Sequence, residues 1–347
     1  MAGGIGSRFW PLSKQDRPKQ FLDILGTGRS FIRSTFDRFS RLVPAENFLV
    51  VTNAAYRDLV LEELPMLTAD QVLCEPMRRN TAPCIAYASY RIRSRCPEAL
   101  IAVTPADHLV TDEASFERTI ATGFDFLKSQ TKALLTIGIR PSRPETGYGY
   151  IEVAHGSQPA VCAGNQVVRV EAFKEKPDLP TARSFVEAGN FYWNSGIFLW
   201  SLEGIMAAYN AYLPDMVALF DEGANLFGTE REQAFIDGMF ARCENISIDY
   251  GVMERASERY TIPADFGWSD IGTWGSLFEH SQRDAGNNAL RGRVEAVECH
   301  NSVVNIEDGV TAVVQGLEGC LVAYRDGSLL VCKLDREQEI KNWVERL

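Results

Sequence analysis

Leu100-Ile101-Ala102-Val103-Thr104-Pro105-Ala106-Asp107-His108 is the stretch on which the fold turns. Its first five residues form an apolar run of strand length, too short for a helix, and Pro105 ends it. Asn47-Phe48-Leu49-Val50-Val51-Thr52 and Gln71-Val72-Leu73-Cys74 upstream, and Leu134-Leu135-Thr136-Ile137 downstream, read as strands in the same way. Residues 54–64, 81–95 and 113–129 lie between these runs and read as helices. Phe31, Ile32, Phe36, Phe39 and Leu42 place a further helical face in 30–42. Strands alternating with helices predict an α/β fold whose parallel sheet is covered on both faces. Ligands of such sheets gather outside the carboxyl ends of the strands, where Asp107 stands.

The pattern changes after residue 145. Tyr150-Ile151-Glu152-Val153, the run from Val167 to Phe173 and the run from Trp193 to Trp200 read as strands, and 202–240 as helical. Gln282-Arg283-Asp284-Ala285-Gly286-Asn287-Asn288 is polar and turn-rich, so it reads as a linker. It divides a larger part, 1–281, from a small β module, 290–347, whose turns fall at Asp308-Gly309, Glu318-Gly319 and Asp326-Gly327. A last helix is expected over 336–346.

The 347 residues are 46% apolar and carry a formal net charge of −11. That charge repels nucleic-acid phosphates and anionic lipid, so no nucleic acid and no membrane is expected as a broad-surface partner. None of the eight cysteines forms a C-x-x-C pair, and they read as reduced core residues of a cytoplasmic protein. The chain opens Met1-Ala2-Gly3-Gly4, directly into a glycine-rich loop that ordinarily follows a buried strand. The expectation is residues upstream of Met1, with a central slot left empty in the sheet.

Five segments carry chemistry. Gly3-Gly4-Ile5-Gly6-Ser7-Arg8, followed by Lys19, offers backbone N–H groups and two cations to a triphosphate. It lacks the Gly-Lys-Ser/Thr of a Walker loop, and Phe9 breaks the dinucleotide fingerprint. Asp107 suits Mg²⁺, which takes one or two carboxylates beside phosphate and water oxygens; a helix cap or strand-end turn is the plainer alternative. In Phe173-Lys174-Glu175-Lys176-Pro177, Lys176 suits a phosphate and Glu175 a sugar hydroxyl, against a plain solvated charge run. Asn194 and Ser195 lie in an aromatic run and need partners, either ligand or backbone. Asp270 lies in Phe266-Gly267-Trp268-Ser269-Asp270-Ile271-Gly272-Thr273-Trp274, as a second carboxylate for the metal or as the cap of a helix starting near Thr273.

Taken in order, GGIGSRFWPLS with PKQF (3–21), EPMRRNTAP (75–83), TPADH (104–108), TGYGYI (146–151), FKEKP (173–177), WNSGIF (193–198), SIDYGVME (247–254) and FGWSDIGTW (266–274) resemble the bacterial mannose-1-phosphate guanylyltransferase family. The resemblance spans nearly the full chain. It implies a Rossmann-like nucleotidyltransferase fold with a mixed, mostly parallel sheet and a small C-terminal β module. Some relatives carry a further isomerase domain; ending at Leu347, this chain resembles the single-function form. Ser7, Phe9, Lys14 and Lys174 depart from the usual Thr, Leu, Arg and Val, but none removes a needed group.

The resemblance implies GTP and mannose 1-phosphate as substrates and Mg²⁺ as cofactor. Arg8 and Lys19 would hold the triphosphate over Gly3, Gly4, Gly6 and Ser7, and Asp107 and Asp270 the metal. Lys176 would hold the sugar phosphate, and Gly149, Glu175 and Asn194 the mannose. Glu75, Asn80 and Thr81 would sit near guanine and ribose, where the Glu75 carboxylate can accept both donors of the guanine edge. His108 is expected to be structural. A homodimer paired through the β module is compatible with the sequence. Another sugar or base, or a silent nucleotide-sugar sensor, are the competing functions. Retention of all five charged groups weighs against the sensor, and the missing Walker lysine against a GTPase switch.

Overall fold

The computed structural model describes residues 1–4, 6–154, 159–162 and 164–346; Ile5 of the glycine loop and the terminal Leu347 lie outside them. β1 (Val50–Asn53) pairs in parallel with β2 (Val72–Glu75). β3 (Leu100–Val103) and β5 (Leu134–Ile139) both run antiparallel to β9 (Phe191–Ser201), hence parallel to each other, and β10 (Arg259–Ala264) joins β5 in parallel. Met1 and Ala2 connect the two groups. Ala2 N donates to Val51 O at 2.9 Å, Met1 N to Thr104 O at 2.9 Å and Ala106 N to Met1 O at 3.0 Å. This contact covers only the carboxyl ends of β1 and β3. Behind it a cavity of about 530 Å³ lies between the two strands.

An antiparallel extension carries the other half of the site. β6 (Gly149–Val153) pairs with the first part of β9 and with β8 (Asn165–Glu175), which in turn pairs with β7 (Ala160–Cys162). A two-residue ribbon joins β4 (Leu109–Val110) to β11 (Trp268–Ser269), with Ser269 opposite Leu109.

Helices cover both faces because side chains alternate along the buried strands. Trp200 and Phe198 point to a core shared with α3 (Thr81–Arg93), α6 (Leu202–Tyr212), α7 (Pro214–Asp221) and α8 (Glu232–Met239). Leu199 and Ile197 point the other way, to α4 (Glu113–Ser129). α1 (Phe31–Phe39) and α2 (Arg57–Glu63) flank β1 and β2. The helices expected across 202–240 are α6, α7 and α8, parted at Pro214, which lacks the N–H needed to continue α6, and around Gly228 at φ 81°. α5 (Leu179–Ala188) is a further surface helix, and α9 (Trp274–His280) follows the second carboxylate.

The β module stacks β12 (Ala289–Arg291), β14 (Val303–Ile306) and β16 (Cys320–Arg325) in a parallel ladder, beside the parallel pair β13 (Arg293–Val297) and β15 (Thr311–Gln315). Only Asp326-Gly327, with φ 46° and 73°, makes a tight hairpin, to β17 (Ser328–Lys333). The helix expected over 336–346 is 3-10 over Leu334–Glu339 and α-helical only in α10 (Ile340–Val344). Glu337 in the 3-10 part accepts the Gly275 N–H of α9 at 2.7 Å, which ties this segment to the catalytic part. One hydrophobic cluster joins Phe9 and Leu12 of the loop, Trp274 of α9, and Val303, Leu321 and Ile340 of the module. The module therefore supports the glycine loop from below.

Candidate active site

Gly6, Ser7, Arg8, Lys19, Asp107 and Asp270 line one pocket of about 240 Å³, with Phe9, His108 and Gly272. The loop reaches it through a backbone that only glycine allows. Gly6 sits at φ 64°, and a Cβ there would lie 2.6 Å from Lys19 Cβ. Gln20, which sequence reading did not single out, fixes the loop from behind, its amide donating to Ala2 O at 2.8 Å and Gly4 O at 3.2 Å. Its place inside the PKQF segment is the one signal that could have found it.

Lys19 is 3% exposed, so its charge needs partners. Its ammonium donates to Asp107 Oδ2 at 3.1 Å and to the Asp270 carbonyl, and lies 5.0 Å from the centre of the Phe31 ring. Burial alone would raise the Asp107 carboxyl; the Lys19 charge, helped by His108, outweighs it and holds the group below the usual carboxylate range. Asp107 caps no helix. Arg8 is exposed and forms no ion pair among the described residues.

The β4–β11 ribbon brings the second carboxylate across. Register sets Ser269 opposite Leu109, and the following residue, Asp270, lines the same pocket as Asp107. Thr273, not Asp270, caps α9, so the capping alternative fails for Asp270. Asp270 Oδ1 instead accepts from the Tyr148 hydroxyl at 2.7 Å and Gly272 N at 2.9 Å. The next residue, Ile271, sits at φ 41°, a conformation that β-branched residues almost never adopt. Lys176 at φ 45° and Asn80 at φ 67° also have positive φ, as do Asn287, Glu298, Asn301 and Asp326 away from the site. His108 Nδ1 accepts from Trp268 Nε1 at 3.2 Å, and burial, then the Lys19 and Arg38 charges, push its pKa down despite Asp107. The ring is thus engaged by Trp268 and biased toward its neutral form.

A second cluster lies on the antiparallel extension. Gly149 pairs with Glu175, and a Cβ at 149 would lie 2.4 Å from Glu175 Oε2 and 3.4 Å from Asn194 Cβ. The Asn194 amide donates to Asp249 Oδ1 at 2.7 Å, and its oxygen accepts from Thr136 Oγ1 at 3.2 Å. Asp249 opens a π-helical turn, Asp249–Met253, and sequence reading gave it no role although it lies in SIDYGVME. Burial, then the nearby Glu175 charge, push it up to about 6. Ser195 is spent on structure, donating to Ile137 O at 2.8 Å. Lys176 lies outside the 240 Å³ pocket, largely exposed and paired to Glu175 at 3.1 Å.

Tyr148 joins the clusters, since its hydroxyl holds Asp270 while its carbonyl accepts Lys176 N at 3.2 Å. Glu75 ends β2 beside Gly3 and is buried, with Oε1 unpartnered among the described residues; burial pushes its carboxyl up to about 7. Asn80 caps α3 through Thr81 N at 2.9 Å, and Thr81 Oγ1 accepts from Ile248 N at 2.9 Å. Both side chains are thus engaged by the protein's own backbone.

The Nucleotidyl transferase family matches residues 1–287, and the MannoseP isomerase/GMP-like beta-helix domain matches 292–347. An Escherichia coli mannose-1-phosphate guanylyltransferase is 35% identical over 352 aligned residues, covering 100% of this chain and 74% of the relative. The xanthan biosynthesis protein XanB of Xanthomonas campestris pv. campestris is 35% identical, over 100% of this chain and 72% of its own. A solved Thermus thermophilus structure, named as a mannose-1-phosphate geranyltransferase, superposes with a TM-score of 0.87 at 30% identity, covering 100% of this chain and 97% of that one. The chain belongs to the nucleotidyl transferase family, in the group of the bacterial mannose-1-phosphate guanylyltransferases.

Proposed function

We infer that the chain makes GDP-mannose and pyrophosphate from GTP and mannose 1-phosphate. The observation that carries this reading is the convergence of Arg8, Lys19, Asp107 and Asp270 in one pocket, coupled through Tyr148 to the Gly149–Glu175–Asn194 cluster. The sugar phosphate attacks the α-phosphorus in line and pyrophosphate leaves. No general base is needed, because a phosphate monoester loses its second proton near pH ~6. The obstacle is repulsion between two anions, which Arg8 and Lys19 offset at the triphosphate. Lys176, on the rim, supplies positive charge to the incoming sugar phosphate.

Two carboxylates in one pocket fit Mg²⁺, which completes its shell with phosphate oxygens and water. Asp107 and Asp270 would hold it, and it would supply charge stabilisation at the reacting phosphate. Glu75 would accept the two N–H donors of guanine. Among the described residues no helix is long and apolar enough to cross a membrane, and all eight cysteines are free, which fits action in the cytoplasm.

Pyrophosphate release tests the reading, with GTP, ATP, UTP and dTTP each offered beside mannose 1-phosphate or glucose 1-phosphate. The GTP and mannose 1-phosphate pair is expected to exceed the others by at least ~10-fold in kcat/KM. Release favouring a different pair reassigns the substrates.

A further inference from the structure

The segment after β17 belongs to the C-terminal module but packs against the walls of the phosphate pocket. Its 3-10 turn, Leu334–Glu339, lies on α9, and α10 lies on Ser7–Phe9 of the glycine loop. Ile340 shares a buried cluster with Phe9, Ile271 and Trp274, and the Phe9 and Trp274 rings have centres 5.3 Å apart. Glu337 extends from this contact to the start of α9. Gly275 N donates to its Oε2 at 2.7 Å, and the Thr273 hydroxyl and Trp274 N–H bind the same carboxylate. A Cβ at Gly275 would lie 3.0 Å from Glu337 Oε1, so glycine leaves room for the close approach. Burial pushes the Glu337 carboxyl up, while these donors and the Arg8 charge favour its ionised form.

The same turn carries Asp270. Asp270 Oδ1 accepts Gly272 N at 2.9 Å, Glu337 accepts Gly275 N, and Thr273 between them caps α9. Ile271 is fully buried at φ 41°, a conformation that persists only where the surroundings over-determine it. One carboxylate from the larger part and one from the module therefore hold residues 270–275 between them. Without Glu337, N–H groups at the start of α9 lose their acceptor, and the turn loses its support on the module side.

We propose that Glu337 is a positioning residue: from the C-terminal module it fixes the turn that sets Asp270 in the phosphate pocket. The proposal rests on the reading of that pocket as a magnesium and triphosphate site. Removing a group that orients a metal ligand typically weakens metal affinity ~10- to 100-fold. The module thus serves the reaction without touching either substrate.

Calorimetric titration with GTP tests this without turnover, because no sugar phosphate is present. Each protein is titrated in excess magnesium and again in EDTA, with thermal melting alongside. Glu337→Ala is expected to weaken GTP binding ~10-fold in magnesium but less than ~2-fold in EDTA. Glu337→Gln, whose side-chain oxygen can still accept Gly275 N, is expected to recover most of the loss. Equal loss in both media overturns the proposal, as does a lowered Tm with unchanged affinities, since either makes Glu337 a general stabiliser. A Gln variant no better than Ala also overturns it. Should Glu337→Ala fail to fold, Glu337→Asp, one methylene short of the turn, carries the test. Binding at least ~3-fold weaker in magnesium then supports the proposal, and wild-type affinity overturns it. Wild type that binds GTP equally in both media overturns the reading of the pocket, and the proposal with it. A magnesium-dependent wild type with unaffected variants overturns the proposal alone.

Discussion

The hydroxyl of Tyr148 lies 2.7 Å from Oδ1 of Asp270, and through this bond the antiparallel extension holds a carboxylate of the phosphate pocket. Tyr148 precedes Gly149, whose backbone faces Glu175, so displacement of one cluster is felt by the other. Tyr148→Phe keeps the ring contacts with Trp193 and Trp268 and removes only the donor. A hydrogen bond to a charged group contributes ~1.5–3 kcal/mol, so kcat/KM is expected to fall ~10- to 100-fold with little change in Tm. Wild-type kinetics in this variant would separate the two clusters.

Lys19 and Asp107 form the second coupling. Lys19→Met leaves Asp107 without its counter-charge, and turnover is expected to drop at least ~100-fold. The sign of the pH effect follows from the carboxyl being held below its ordinary value of 3.8. The wild-type pair stabilises the fold above that value and loses its contribution as pH falls through the lowered one. Acid unfolding of Lys19→Met, followed by circular dichroism, should lack that acid-side loss relative to wild type.

Glu75 behaves in the opposite sense. Its carboxyl is raised from 4.5 to about 7 by burial, so the folded state binds the extra proton. Stability is fully present below pH 4.5 and falls as pH rises through about 7. Glu75→Gln is expected to flatten this slope in urea unfolding between those limits. It should also erode the GTP-over-ATP preference in kcat/KM at least ~10-fold. An unchanged preference means that backbone groups read the base.

Asp249 positions Asn194. Asp249→Asn is expected to raise KM for mannose 1-phosphate several-fold while the KM for GTP stays constant, since Asn194 lies on the sugar side. Asp249→Glu should restore part of the loss. Equal effects on both KM values would place Asp249 in general stability instead.

Much of this arrangement is legible in the sequence because it depends on local signals. The apolar runs at Val50, Val72, Leu100 and Leu134 become strands near their expected bounds, and the stretch 113–129 becomes α4 with both ends in place. Asp107, expected past the end of a strand, lines one pocket with Asp270, expected in a glycine-rich turn. The joining elements are not legible. β4 and β11 contain two residues each, too few for any periodicity, and exist only because Trp268 and Val110 meet in the fold. Strand β10 went unseen because Arg259, Tyr260, Thr261 and Pro263 dilute its apolar pattern. Tyr148, Gln20 and Asp249 act through partners 122, 16 or 18, and 55 residues away, a separation that no window along the chain detects.

The central claim is that Asp107 and Asp270 jointly hold the divalent ion that lets two anions react. Initial rates of pyrophosphate release, with GTP and mannose 1-phosphate across a magnesium titration, test it in wild type, Asp107→Asn and Asp270→Asn. Rates at least ~1,000-fold below wild type are expected in each variant, with no wild-type turnover in excess EDTA. Near-normal rates in both variants, or wild-type turnover that persists in EDTA, would contradict it.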